Sequence, residues 1–156
     1  LKNKIPLLEL KQQAFNHCHD FVKGRLERLQ HQMKEIETAL TSETKSSAGD
    51  KHETGRAMLQ LEREKLGTQL AEAEQMHGTL QKVATTTEHN RAGLGAVVVT
   101  DKQSYYIAIS AGALTYKEVS LFCISPGTPI GKLLLGKQTG DTIQFNQSTS
   151  TILNIR

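Results

Sequence analysis

The sequence predicts an α+β protein in two parts: a long antiparallel α-helical hairpin, or coiled coil, over residues 1–84, then a small antiparallel β domain with one short helix over 94–156, with a polar linker at 85–93. Three observations predict it. Apolar residues recur every three or four positions through two long stretches, a Thr/Ser/Gly-rich break separates those stretches, and composition then shifts to short β-branched and aromatic runs. Charged residues are 22% of the chain and aromatics 4%, with no Trp, which is lean for one compact core and suits a rod plus a small globule.

The first helix follows Pro6, which fits a first helical position because its missing N–H costs nothing there. Phe15, Cys18, Val22, Leu26, Leu29, Met33, Ile36 and Leu40 are spaced 3, 4, 4, 3, 4, 3 and 4 apart, a heptad seam with one stutter near Val22. The 41–49 stretch has Thr, Ser, Ala and Gly but no apolar anchor, so a loop is expected there, with the tip of the hairpin near 43–53. The second helix is expected from about Asp50 to Val83, with Leu59, Leu66, Ala73 and Leu80 seven apart. Each helix would be roughly 45–50 Å long. Neither can bury its stripe alone, so the nearest solution is an antiparallel pair.

After the polar stretch 85–93, five runs read as strands: Ala96–Thr100, Tyr105–Ile109, Ser120–Ile124, Thr142–Phe145 and Thr151–Ile155. Between the third and fourth, the 129–136 segment reads as a short helix with Thr128 as N-cap, Pro129 at its first position and Gly136 closing it. A domain of about 65 residues is near the lower limit for a stable single core.

The net charge of +3 is far from the concentrated Lys/Arg stripe needed to neutralise phosphates along a duplex, so autonomous DNA binding is not expected. Cys18 and Cys123 lie far apart in sequence and form no C-x-x-C, which points to neither a disulfide framework nor a zinc site. No apolar run approaches the roughly 20 residues of a membrane span, and the N-terminus lacks a signal-like run. A soluble, cytoplasmic, monomeric protein without membrane contact is expected. The chain begins without Met, so a few upstream residues are expected to be missing.

The residues with chemical potential gather at the turn. Asp50 and Glu53 stand three apart at a helix start and share a face, so a hairpin would carry both carboxylates to the end of a thin rod. Asp-x-x-Glu there is also a capping box, which satisfies orphan backbone N–H groups. The two roles are compatible, since a capping carboxylate keeps outward lone pairs and Mg2+ is commonly held by only one or two protein carboxylates. Glu43 is a third nearby acid. Lys45, Lys51, His52 and Arg56 surround the pair, either as solvated neutralising charge or as contacts for RNA phosphates or a partner's acidic surface. His17, Cys18 and His19 lack the i, i+4 spacing of helical metal ligands. The sequence carries neither a Gly-x-Ser-x-Gly elbow nor a phosphate-cradling glycine loop.

Two separated stretches resemble one family. Thr128-Pro129-Ile130-Gly131-Lys132-Leu133-Leu134-Leu135-Gly136-Lys137-Gln138-Thr139-Gly140-Asp141 is similar to the Ser-Pro-Ile-Gly-x-Ala-Leu-x-Gly-x-x-x-Gly-Asp signature of bacterial transcript cleavage factors of the GreA/GreB type, and Gly49-Asp50-x-x-Glu53 resembles their tip motif. The resemblance implies a coiled coil followed by an FKBP-like domain that docks at the rim of RNA polymerase's secondary channel. It implies that Asp50 and Glu53 reach the polymerase's active centre and help hold a second Mg2+ jointly with the polymerase, stimulating its intrinsic cleavage of backtracked RNA. Contact with the nascent RNA 3′ end would be indirect, the chain would not itself be an enzyme, and the isolated chain would bind no cofactor. Pro129, Ile130, Gly131, Gly136, Gly140 and Asp141 carry the C-terminal signature. Prolyl isomerase activity is not implied, because that pocket needs an aromatic lining and this domain has only Tyr105, Tyr106, Tyr116, Phe122 and Phe145.

The chain departs from the family after Glu53, where Thr54-Gly55-Arg56-Ala57 replaces Asn-x-Glu-Tyr, and Lys51 replaces Leu. Two alternatives therefore stand beside cleavage: a secondary-channel regulator that binds polymerase without cleaving, and a coiled-coil adaptor or chaperone.

Overall fold

The computed structural model describes the backbone of residues 5–45 and 49–156, and the side chains of residues 5–42 and 53–156. Two long helices, α1 (Leu7–Lys45) and α2 (Gly49–Gln81), precede strands β1 (Val97–Thr100), β2 (Ser104–Ile107), β3 (Gly112–Tyr116) and β4 (Val119–Ile124), helix α3 (Pro129–Leu134), and strands β5 (Thr142–Phe145) and β6 (Ser148–Ile155). The chain forms two compact units: Val22–His77, and the start of α1 up to Phe21 together with Gly78–Arg156.

In the Val22–His77 unit the heptad stripes meet as expected. Leu29 packs with Leu66 and Ala73, and Leu26, Met33, Ile36 and Leu70 lie against them. Arg63 pairs with Glu37 at 3.7 Å, which fixes the same antiparallel sense. Both partners are about half exposed, so the pair contributes little and the apolar seam holds the helices together. The loop expected from Thr41 is corrected: α1 continues through Lys45. Thr38, Thr41 and Ser42 each donate their hydroxyl to the carbonyl four residues back, at 3.0, 3.0 and 3.2 Å. That bond lets weak helix formers stay helical where they would otherwise compete with the backbone.

The other unit is built on a six-stranded sheet in the order β3-β4-β2-β1-β6-β5. Every neighbouring pair is antiparallel except β2 with β4. The five expected strands are therefore corrected to six: β3 was not anticipated. Its turn to β4 places Lys117 and Glu118 at φ 46° and 68°, between the paired Tyr116 and Val119. A two-residue hairpin turn with both centres at positive φ normally uses Asn or Gly, so Lys-Glu gives no sequence signal for it. The β5–β6 turn uses Asn146 and Gln147 in the same way, and β6 starts at Ser148, ahead of the expected Thr151.

Alternation along the strands feeds both faces. Ala96, Val98, Ile107, Ile143, Ile152 and Ile155 join Ile130 and Leu134 of α3 in one core. Tyr106, Leu121 and Cys123 are buried on the opposite side, along with Leu10, Ala14 and Cys18 from the start of α1. The polar stretch 85–93 forms no helix or strand but is pinned: Lys11 Nζ donates to Thr87 O at 2.6 Å, His89 Nε2 bonds Leu94 O at 3.1 Å, and Ala92 is buried in the core.

Candidate functional site

Helix α1 ends at Lys45 and α2 starts at Gly49, so Gly49 and Asp50 open α2 and Glu53 follows in its second turn. Because the Val22–His77 helices run antiparallel, this end of the unit is where both carboxylate-bearing residues stand. Glu53 is exposed. The side chains of Asp50, Glu43, Lys45, Lys51 and His52 lie outside the described residues, and with them the capping-box reading. Arg56 is partly buried. Among the described residues no group of three or more His, Cys, Asp or Glu side chains gathers as a metal site. One exposed carboxylate is a donor that an ion shared with another molecule could use, since Mg2+ leaves most of its ligand positions to water and other partners.

Eight positions of the 128–141 signature have a physical explanation. Thr128 caps α3: its hydroxyl accepts from Gly131 N at 3.1 Å and donates to Ser125 O at 2.7 Å. Pro129 sits at the first helical position, and Ile130 and Leu134 enter the core. Gly131 is obligatory, because a Cβ there would stand 2.2 Å from Ser125 O and 2.9 Å from Pro126 O. Gly136, at φ 80°, ends the segment and donates to Ala92 O at 2.8 Å. Gly140, at φ 93°, donates to Ile152 O at 2.8 Å, and Asp141 Oδ2 accepts from Gln138 N at 2.8 Å, so the turn into β5 is tied to β6. The structure brings Pro129, Ile130, Gly131, Gly136, Gly140 and Asp141 together as a folding element. Leu133 and Leu135 remain exposed on it, at 37% and 42%.

One polar cluster in the β-sheet unit escaped the sequence reading. Glu9 Oε1 accepts from the Tyr116 hydroxyl and, at 2.8 Å, from Lys117 Nζ. The Lys117 and then the Tyr116 hydrogen bonds hold the Glu9 carboxyl below its usual range. Cys18 and Cys123, remote in sequence, are both buried, free and in the same unit. His17 bonds Ala111 O at 2.9 Å and His19 stacks on Phe15.

No protein-family model matches the chain, and no curated protein matches it. Solved structures do. The chain is similar to Gfh1. The crystal structure of GreA factor homolog 1 (Gfh1) protein of Thermus thermophilus is 20% identical, with 86% of this chain and 92% of that chain covered, at a TM-score of 0.35. A second structure, of the transcription factor Gfh1, is 20% identical over 86% of this chain and 90% of that one, at 0.33. Among the described residues no helix is long and apolar enough to cross a membrane.

Proposed function

We propose that the protein is a transcription factor of the GreA/GreB type that binds RNA polymerase through its secondary channel and stimulates the polymerase's own cleavage of backtracked RNA. The observation that carries this reading is the place of Asp50 and Glu53 at the start of α2, the second of two paired long helices. The signature from Thr128 to Asp141, matched in order but with Thr128 for Ser and Leu133 for Ala, supports it from the other unit.

In this reading Asp50 and Glu53 present carboxylates to a Mg2+ held jointly with the polymerase. When bound, such an ion activates a water and offsets charge at the phosphate. The chain's own residues hold that ion and orient the water beside it. Lys45, Lys51, His52 and Arg56 neutralise the approach of a carboxylate pair to RNA or to an acidic channel wall. The β domain docks outside the channel. The protein acts in the cytoplasm as a monomer, without DNA or membrane contact of its own.

A second reading, polymerase binding without cleavage, is favoured by one specific feature: Lys51 and Thr54-Gly55-Arg56-Ala57 replace the residues that follow the acids in the family motif. Stalled, backtracked elongation complexes test both. The first reading expects RNA cleavage with the chain added and loss by about 100-fold in Asp50→Ala or Glu53→Ala, with polymerase binding intact. Binding without cleavage establishes the second reading. Failure to co-purify with polymerase removes both and leaves the adaptor.

A further inference from the structure

A groove of about 390 Å3 opens in the β-sheet unit beside α3, and three of that unit's aromatic rings, Tyr105, Phe122 and Phe145, meet in it. Alternation along β4 buries Leu121 and Cys123 on one face and leaves Phe122 on the other, 39% exposed. Tyr105 of β2 is the register partner of Phe122, and the core residues Ile130 of α3 and Ile143 of β5 line the floor. Leu133, one turn after Ile130 on the same helical face, stays 37% exposed. With six residues α3 is too short to cover the whole face of the sheet.

A short helix accounts for an open apolar face but not for the charge at its rim. Lys102 lines the groove, and its Nζ donates to Ser148 Oγ at 2.7 Å and to Thr149 O at 2.5 Å, so the ammonium is held in place with a third N–H to spare. Among the described residues no carboxylate pairs with it; Asp101, its neighbour in sequence, is committed to Thr151 N at 2.9 Å. No Asp or Glu is among the described residues that line the groove. The 82–156 segment as a whole carries seven Lys or Arg against four Asp or Glu, so its field favours an anionic visitor. The partly buried Tyr105 hydroxyl, whose pKa burial raises, adds a neutral donor at the wall.

We infer that this groove is a docking site for a short acidic and apolar segment of a partner protein: a large aliphatic or aromatic side chain seats against Tyr105, Phe122 and Phe145, and an adjoining Asp or Glu meets Lys102. The volume lies at the low end of the roughly 300–1,000 Å3 of ligand pockets, which suits a few side chains of a linear segment. Apolar contact supplies the affinity, and the fixed ammonium selects the sign of charge beside the anchor, since a basic segment would bring like charges together. The site uses neither Asp50 nor Glu53, so the inference stands whether or not the chain acts on RNA polymerase.

The test titrates the full chain, labelled for amide NMR, with the synthetic peptide Asp-Glu-Leu-Phe-Glu-Asp blocked at both ends. Saturable shifts should appear at Tyr105, Phe122, Ile124 and Phe145, with a Kd of about 0.1–1 mM. Lys-Lys-Leu-Phe-Lys-Lys, which reverses the charge, and Asp-Glu-Ala-Ala-Glu-Asp, which removes the anchor, should each bind at least about 10-fold more weakly. Phe122→Ala and Lys102→Met should each weaken the first peptide by about 10-fold. Lys102→Met also loses the bonds to Ser148 and Thr149; should it disturb the β5–β6 turn, the two control peptides on the unaltered chain still decide the matter. The inference is overturned if the acidic peptide gives no saturable shifts at the groove, if the basic peptide binds equally well, or if the same amides shift with chain concentration alone, which would give the groove to a second copy.

Discussion

Lys11 Nζ donates to His89 Nδ1 at 3.2 Å, which ties the second turn of α1 to the 85–93 segment through a buried amine and an imidazole. His89 Nε2 faces Leu94 O, so the ring is neutral, with its proton on Nε2 and its Nδ1 accepting. Burial first, and the Lys11 charge second, lower the His89 pKa. A histidine with a depressed folded pKa takes up protons more readily when unfolded. The stability it supports is therefore full above about pH 6.5 and is lost as pH falls from there through the folded pKa. Thermal midpoints should drop between pH 7 and pH 5, and less steeply in His89→Gln. In Lys11→Met the charge is gone while the aliphatic stem is kept, so the His89 ring protons should titrate at higher pH by NMR.

Gly131 and Gly67 should respond oppositely to alanine. At Gly131 the new Cβ meets backbone oxygens at 2.2 and 2.9 Å, which only a backbone shift can relieve, so Gly131→Ala should destabilise the β-sheet unit by about 3 kcal/mol. Gly67 lies inside α2 with nothing within 4 Å of a Cβ. Gly67→Ala should stabilise by about 1 kcal/mol, because glycine surrenders more chain entropy in a helix. Denaturant midpoints with unchanged slopes would establish both signs.

What was legible in the sequence follows from how local each cause is. The seam from Leu26 to Ile36 and its partners Leu66, Leu70 and Ala73 could be read because a helix repeats every few residues. The α3 segment could be read because Thr128, Pro129 and Gly136 act within a few positions of themselves. β3 could not, since Lys117 and Glu118 adopt positive φ against their own preference, held there by the pairing of Tyr116 with Val119. Nor could the bond between His17 and Ala111 O, which depends on how α1 lies against the strip before β3. At the tip, the sequence already placed the acidic pair at a helix start, because Gly49 and Asp50 are local signals, and α2 begins at Gly49.

Leu66 and Leu61 separate the seam from its surroundings. Leu66 is 5% exposed and packs with Leu29 and Ala73, whereas Leu61 is 67% exposed. Leu66→Ala should cost about 2–4 kcal/mol, lost chiefly from the Val22–His77 unit, where few other fully buried side chains can compensate. Leu61→Ala should stay within about 0.5 kcal/mol. Helical circular dichroism followed through urea unfolding would show the difference as an early loss of helix in Leu66→Ala alone.

Glu53→Gln separates a functional carboxylate from a structural one. The side chain is exposed, so removing its charge deprives no buried group of a partner, and stability should change by no more than the roughly 0.5 kcal/mol typical of surface changes. A glutamine amide keeps the shape but is a far weaker ligand for a hard cation, which prefers charged oxygen. On the proposed reading, cleavage in stalled complexes should fall by about 100-fold, raised Mg2+ should recover part of it, and competition for polymerase should be unchanged. A stability loss of several kcal/mol would instead assign Glu53 to holding the start of α2 together. Retained cleavage at wild-type Mg2+ dependence would take the ion away from this residue.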